Sequence, residues 1–150
     1  MAVADEVEAL YRNLLTRWNE RDAVGYGALF DSYGSVVGFD GSGVESPAAI
    51  TEHLRSIFSD HQPATYVAKV REVRELGAGV ALLRGVAGLV PPGTSDIRPD
   101  VNAVQVLVAV HRDGGWRIAH FQNTPAAFHG RPEAAEALTA ELRALLTASP

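Results

Sequence analysis

The sequence predicts an α+β fold in which a curved, mixed or antiparallel sheet wraps around N-terminal helices and leaves a cone-shaped pocket. Helical patterns prevail before residue 61, and long strand patterns prevail from residue 64 to residue 124. Helices that precede a run of strands are typical of the α+β class. With 150 residues the chain is expected to form one domain, residues 1–150, around a single core.

Composition and charge argue against several classes of function. The formal net charge is -5 at pH 7, whereas nucleic acids and anionic membranes attract clustered Lys and Arg. The chain has no cysteine, which excludes disulfides, thiolate metal sites and cysteine nucleophiles. No signal peptide is evident at the N-terminus, and no apolar run approaches the ~20 residues of a membrane span. We expect a cytoplasmic protein with neither a nucleic-acid nor a membrane partner.

Four helices are predicted. Apolar residues at helical spacing define the first, over residues 4–20: Val3, Val7, Leu10, Leu14 and Trp18. Asp22 is a suitable N-cap for a short second helix that continues through Phe30. Ser46-Pro47 begins the third, with Pro at its first position, and the fourth begins near Pro132.

Strand patterns occupy the middle of the chain. Val36 to Phe39 is a short strand that ends at the turn Asp40 to Gly43. A period of two begins at Ala64 and changes phase near Arg71-Glu72, which predicts a bulge.

Two later segments, residues 80–90 and 101–112, are apolar on both faces and are therefore expected to be central strands. Helices would cover one face, and loops, helices or a partner subunit the other. Because an uncovered face would leave a large apolar patch, we expect a homodimer. The irregular segment Pro91 to Asp100 joins the two strands and is of a kind that is often functional.

The last predicted strand, Gly115 to Thr124, is the most informative segment. Strict alternation assigns its side chains to two faces: Trp116, Ile118, His120 and Gln122 on one, and Arg117, Ala119, Phe121 and Asn123 on the other. The first face begins apolar and ends polar. This gradient predicts that His120 and Gln122 line the mouth of a cavity.

Three motifs carry a resemblance to known proteins: Pro91-Pro92-Gly93, Asn102-Ala103-Val104-Gln105, and Gly115 to Thr124. With the element order they resemble the nuclear-transport-factor-two-like superfamily, its SnoaL-like and ketosteroid-isomerase-like members, and most closely the SgcJ/EcaC group. The resemblance implies the cystatin-like α+β cone. It also implies a small-molecule ligand in polyketide or enediyne-type natural-product biosynthesis, although this fold hosts both enzymes and noncatalytic modules.

Two residues are candidates for acid/base chemistry. The resemblance implies that Asp40 could act as a base, which requires a carboxylate in an apolar pocket where its pKa rises. Asp-Gly is equally a good turn sequence. His120 can act as acid or base near neutral pH, or can form a satisfied polar pair that ties the last strand to a helix. No tyrosine is assigned to an enolate, and Tyr11, Tyr26 and Tyr33 stay open as candidates.

The ligand-binding candidates are bulky or polar residues on elements that face the sheet or its ends: Trp18, Tyr26, Phe30, Tyr66, Arg84, Asn102, Gln122 and Asn123. Asn123 could instead satisfy backbone groups. Arg84 interrupts an apolar strand and requires a carbonyl, an anionic ligand or an acid, for which Asp100 or Glu72 is available. Arg with nearby Asp and Asn also resembles the epoxide-hydrolase branch of the fold, but the Asp-Arg-Asp spacing of that branch is not evident in this sequence.

No metal or cofactor is expected. The five histidines show none of the spacings typical of metal ligands, and neither a dinucleotide fingerprint nor a P-loop is present. Two main functions therefore stay open: an acid/base enzyme of the isomerase, cyclase or hydrolase type, and an accessory protein that shields a biosynthetic intermediate. A dimerisation module is a third.

Overall fold

The computed structural model describes residues 2–147 and has the predicted α+β architecture. Its helices are α1 (Val3–Asn19), α2 (Ala23–Gly27), α3 (Pro47–Asp60) and α4 (Pro132–Thr147), with a short 3-10 turn at Pro99–Val101. Its strands are β1 (Phe30–Val37), β2 (Gly43–Glu45), β3 (Thr65–Gly77), β4 (Val80–Val90), β5 (Ala103–Arg112) and β6 (Gly115–Pro125).

The six strands form one curved, open sheet in the order β2-β1-β6-β5-β4-β3. All neighbours are antiparallel except β1 and β6, which run parallel, so the sheet is mixed. The bulge predicted in β3 is confirmed, since the register with β4 shifts between Val70 and Glu72. The long strands β4 and β5 lie in the interior of the sheet, as expected from residues that are apolar on both faces.

Local sequence explains how several elements begin. The Asp22 carboxylate accepts a hydrogen bond from the Gly25 amide at 2.8 Å and caps α2, and the Ser46 hydroxyl accepts one from Ala49 at the start of α3. The turn between β5 and β6 places Asp113 and Gly114 at positive φ, as a two-residue hairpin turn requires.

Strand β1 is longer than the predicted Val36 to Phe39. Its first half contains Asp31, whose charge obscures the strand pattern. The Asp31 side chain is buried and pairs with Arg112 at 3.0 Å. This ion pair allows a carboxylate to lie within the sheet.

The core lies on the concave face of the sheet. Val7, Tyr11 and Leu14 of α1 are fully buried together with inward residues of the central strands, including Leu107 and Ile118. A second apolar cluster covers part of the convex face. There Leu138 and Leu142 of α4 pack with Val86 and Ile97. A helix of the same chain therefore covers part of the convex face. From the sequence, loops, helices or a partner subunit were the possible covers for this face.

Within residues 2–147, no helix combines the length and the apolar content that crossing a membrane requires.

Candidate functional site

A cavity of about 480 Å³ lies between the concave face of the sheet and helices α1, α2 and α3. Most of its lining is aromatic or aliphatic, with a few polar side chains, which is the usual composition of a small-molecule site. The lining includes Trp18, Tyr26, Tyr66, Ala103, Phe121 and Asn123 in the interior, and Asp40 and His53 at the mouth.

Aromatic packing fixes one wall of the cavity. The Trp18 ring lies 5.4 Å from the ring of Phe58 and 5.5 Å from that of Tyr66, measured between centroids. Its indole N–H donates a hydrogen bond to the Ala64 carbonyl at 2.9 Å. Since both ends of the ring are held, Trp18 provides a rigid apolar surface.

A bulge in β6 reverses the predicted orientation of its last residues. Ile118 pairs with Ala109 and His120 with Val108, so Ala119 has no partner on β5. The extra residue changes the parity of the strand after Ile118. Phe121 and Asn123 therefore face the cavity.

The prediction that His120 and Gln122 line the cavity is consequently wrong. Gln122 is exposed, and neither residue is part of the lining. The His120 ring instead bridges two neighbours on the convex face: its Nδ1 lies 2.8 Å from Ser35 Oγ and its Nε2 lies 3.0 Å from Gln122 Oε1. This is the alternative of a satisfied polar pair, although it ties β6 to strand β1 and not to a helix.

A chain of hydrogen bonds leads from the core to the cavity. The Tyr11 hydroxyl donates to Gln105 Oε1 at 2.6 Å, and Gln105 Nε2 donates to Asn123 Oδ1 at 3.2 Å. Asn123 Nδ2 in turn donates to the Tyr66 hydroxyl oxygen at 3.2 Å. Gln105 and Asn123 are both buried and directly opposite each other on β5 and β6.

The two cavity tyrosines stay protonated at physiological pH. Burial raises the pKa of Tyr66 to about 12, although the hydrogen bond from Asn123 acts in the opposite direction. Burial also raises the pKa of Tyr26, and the neighbouring Tyr66 hydroxyl adds to that shift. Both side chains are therefore neutral phenols that can donate a hydrogen bond.

Asp40 lies at the cavity mouth in an environment that favours its charged form. Its carboxylate accepts a hydrogen bond from the Ser42 amide at 2.9 Å, which lowers the pKa of Asp40, and the nearby His53 lowers it further. The residue is exposed to solvent. The expected apolar surroundings that would raise its pKa are not found, so Asp40 has the features of a turn residue at the rim.

Three further predicted residues lie outside the cavity. Phe30 is buried in the core, with its ring 5.7 Å from that of Tyr26, because it begins β1 beneath α2. Arg84 is exposed and pairs with Glu72 at 2.9 Å, one of the two acids considered for it. Asn102 is buried on the side of α4, where Nδ2 donates to Thr139 Oγ1 at 3.0 Å.

Sequence reasoning did not assign Gln105 or His53 to the site, and it considered Tyr11 only as one of three tyrosines that could hold an enolate. Gln105 carried a signal, since it is the one amide within the apolar run Val104 to Val110. Tyr11 matches the helical core pattern, and only its hydroxyl distinguishes it from a packing residue. Within residues 2–147, no group of three or more His, Cys, Asp or Glu side chains is close enough to hold a metal ion.

A family model described as a SnoaL-like domain matches residues 7–127. The chain belongs to the SnoaL-like domain family. This assignment agrees with the resemblance to nuclear-transport-factor-two-like proteins. The narrower assignment to the SgcJ/EcaC group stays a prediction from the sequence. A comparison with curated proteins found no match in sequence.

Solved structures support the fold of this SnoaL-like protein. A domain of unknown function with a cystatin-like fold from Nostoc punctiforme PCC 73102 has a TM-score of 0.77 and 22% identity, covering 99% of this chain and 100% of that chain. A ketosteroid isomerase-like protein from Erwinia carotovora atroseptica SCRI1043 gives 0.66 and 17%, covering 83% and 96%. ActVI-ORFA from Streptomyces coelicolor gives 0.64 and 17%, covering 81% and 96%.

Proposed function

We propose that this protein binds an apolar, partly oxygenated small molecule in the cavity between the sheet and helices α1 to α3. The observation that carries the proposal is the lining itself. Aromatic walls surround two neutral phenols and an amide in the interior, whereas the ionisable groups Asp40 and His53 stand at the mouth. Such a lining favours burial of an apolar body with hydrogen bonds at a few fixed points.

Binding without turnover is the function that this geometry favours. An acid/base enzyme requires a group whose pKa lies near the working pH and that reaches the substrate. The interior tyrosines have raised pKa values, the pKa of Asp40 is lowered, and His120 lies on the other face of the sheet. The imidazole of His53 is exposed at the mouth, outside the aromatic interior. The protein would then shield a biosynthetic intermediate of polyketide or enediyne type, the setting that the SgcJ/EcaC resemblance implies.

An isomerase, cyclase or hydrolase that uses no cofactor is the second candidate. One observation favours it: Asp40 and His53 share a cavity with two phenolic donors. In that mechanism Asp40 would accept a proton from the substrate. The Tyr26 and Tyr66 hydroxyls would stabilise the negative charge that develops on an oxygen of the substrate.

We also propose that the protein is a homodimer that associates through the convex face of the sheet. Outward residues of β5 form an apolar row beside the area that α4 covers: Val104, Val106, Val108 and Val110. Val104 is 36% exposed, and the other three are partly exposed. A second copy of the chain would cover this row without closing the cavity, which opens on the concave side.

A binding experiment with a cavity-filling variant tests the main proposal. Ala103 is 2% exposed and lines the cavity, so Ala103→Leu adds volume to its interior. Fluorene, a rigid hydrocarbon, should bind to the unaltered protein in equilibrium dialysis and should bind at least ~10-fold more weakly to Ala103→Leu, because the larger side chain occupies volume that the probe needs and so reduces the apolar area that the probe can bury. Ala78→Leu, on an exposed turn, is the matched control and should bind as the unaltered protein does. Equal affinity in all three proteins would contradict a site in this cavity.

A further inference from the structure

The hydrogen-bond chain from Tyr11 to Tyr66 has a direction that burial determines. Tyr11 is 0% exposed, and within residues 2–147 its hydroxyl has Gln105 as its hydrogen-bond partner. If both amides were turned over, every bond of the chain would reverse, and the Tyr11 O–H would lose the acceptor that it has in Gln105. A buried donor without an acceptor is strongly unfavourable. The order Tyr11 to Gln105 to Asn123 to Tyr66 avoids this.

At the other end, this order leaves one hydrogen free. The Tyr66 oxygen accepts from Asn123 Nδ2, so the O–H hydrogen of Tyr66 is not used within the chain. Tyr66 lines the cavity. Its free hydrogen is therefore available to an acceptor inside the cavity.

The remaining lining narrows the chemistry of that acceptor. Among the described residues of the lining there is no lysine or arginine, and the carboxylate of Asp40 and the imidazole of His53 stand together at the mouth, outside the interior. A carboxylate or phosphate ligand would enter an apolar interior without a cation to pair with, which is costly. A carbonyl oxygen accepts hydrogen bonds and carries no formal charge.

We infer that the cavity recognises the carbonyl group of a neutral, apolar molecule through the Tyr66 hydroxyl, and that Tyr11 and Gln105 are positioning residues that fix the direction of that hydroxyl. This inference rests on the proposed binding function. Tyr11 and Gln105 are not part of the cavity lining. They act on the ligand through Asn123 and Tyr66.

A matched pair of probes separates the carbonyl contact from general apolar binding. Fluorenone carries a carbonyl on a rigid tricyclic body, and fluorene has the same body without it. In the unaltered protein, the infrared carbonyl stretch of bound fluorenone should lie below its frequency in a hydrocarbon solvent, because a hydrogen bond weakens the C=O bond. Tyr66→Phe should abolish this shift and weaken the binding of fluorenone about three- to tenfold, the usual contribution of one hydrogen bond. The affinity for fluorene should not change.

Tyr11→Phe tests the positioning role at a distance from the ligand. It removes the donor that orients Gln105, so the two amides can turn over and the Tyr66 hydrogen can point to Asn123. We expect the carbonyl stretch to move toward its free value and fluorenone to bind about threefold more weakly or worse. The affinity for fluorene should not change. Tyr33→Phe is the control, because Tyr33 is 92% exposed.

Asn123→Asp provides an independent variant. An ionised Asp has no donor, so it would accept a hydrogen bond from Tyr66 and draw the hydroxyl hydrogen away from the cavity. Fluorenone should again lose its spectral shift.

Different results would overturn different parts of the proposal. Failure of both probes to bind the unaltered protein overturns the proposed function, and this inference with it. Binding of both with no carbonyl shift, or the same shift in Tyr66→Phe, overturns the inference alone. If Tyr11→Phe gives the same carbonyl stretch and the same affinity for fluorenone as the unaltered protein, Tyr11 is not a positioning residue. The same conclusion follows if it weakens the binding of fluorene as much as the binding of fluorenone.

Discussion

Nε2 of Gln105 lies 3.2 Å from Oδ1 of Asn123 across the β5 and β6 pair, where the two residues are in register. Gln105 is 0% exposed and Asn123 is 9% exposed. A buried amide pair of this kind forms only when both side chains face the same side of the sheet, which the bulge at Ala119 makes possible.

Gln105→Leu should destabilise the protein by about 1–3 kcal/mol, because it leaves the buried Tyr11 hydroxyl without its acceptor. Unfolding in urea, followed by circular dichroism, measures the change. Gln122→Leu alters the same residue type on the neighbouring strand at an exposed position and should change stability by less than about 0.5 kcal/mol. Equal effects of the two substitutions would contradict the importance of the buried pair.

Leu142→Ala should cost about 2–5 kcal/mol, because Leu142 is fully buried between α4 and the convex face of the sheet. Leu76→Ala is the control, since Leu76 is 55% exposed. Thermal unfolding gives the comparison. A loss for Leu142→Ala no larger than that for Leu76→Ala would mean that α4 does not contribute to the folded core.

The Glu141 carboxylate connects α4 to β3. It lies 3.2 Å from Lys69 Nζ and also pairs with Arg71, and these contacts, the Arg71 hydrogen bond first, lower the pKa of Glu141 to about 2. A carboxylate whose pKa is depressed on folding stabilises the protein above its unfolded-state pKa, and that stabilisation is lost as pH falls toward the folded-state value. The contribution should therefore be complete at pH 7 and should disappear between about pH 4.5 and pH 2.

Glu141→Gln tests this dependence. The variant should be less stable than the unaltered protein at pH 7, by about 1 kcal/mol or less because solvent screens the pairs, and the difference should vanish near pH 2. Urea midpoints at several pH values measure it. Glu133→Gln, at an exposed position of the same helix, is the matched control. A stability difference that does not depend on pH would refute the assignment.

Val106→Glu should convert a dimer into a monomer, because it places a charge in the centre of the apolar row on β5. Sedimentation velocity at micromolar concentration measures the molecular mass. Val24→Glu is the control, because Val24 is 56% exposed on α2, away from the convex face. A monomeric unaltered protein would rule out the proposed dimer directly.

If the protein is an enzyme, Asp40→Asn should reduce kcat by ~10²-fold or more, the usual worth of a general base. His120→Ala, on the convex face, should retain turnover and act as the control. The fold of both variants would be verified by circular dichroism. Unchanged turnover in folded Asp40→Asn would remove this residue from the mechanism.

Periodicity predicted most of the fold because most elements of this chain follow it without interruption. The α1 stripe and the apolar runs of β4 and β5 gave the correct class and the central strands. The bounds of β1 were harder to predict, because a buried ion pair places Asp31 inside a strand.

The site was predicted only in part. Trp18, Tyr26 and Tyr66 line the cavity as expected, because aromatic size and position on the inner elements were visible in the sequence. Asn123 was named as a ligand-binding candidate but was assigned to the face opposite to His120 and Gln122. The face of the sheet to which the residues after Ile118 point could not be predicted, since Ala119 is compatible both with a regular strand and with a bulge. Partners such as Gln105 and Asn123 are 18 residues apart, so only the strand register brings them together.

The unpaired Ala119 divides β6 into two segments. Even-numbered residues face the concave side up to Ile118, and odd-numbered residues face it from Phe121 onward. If Ala119 instead paired with β5 as a regular strand residue, the end of the strand would turn by half a turn, and His120 and Gln122 would face the cavity in place of Phe121 and Asn123. Deleting Ala119 would keep the present faces, because Ile118 and His120, which pair with the consecutive residues Ala109 and Val108, would then be consecutive themselves. The chemistry of the cavity therefore depends on one unpaired residue whose own side chain takes no part in it.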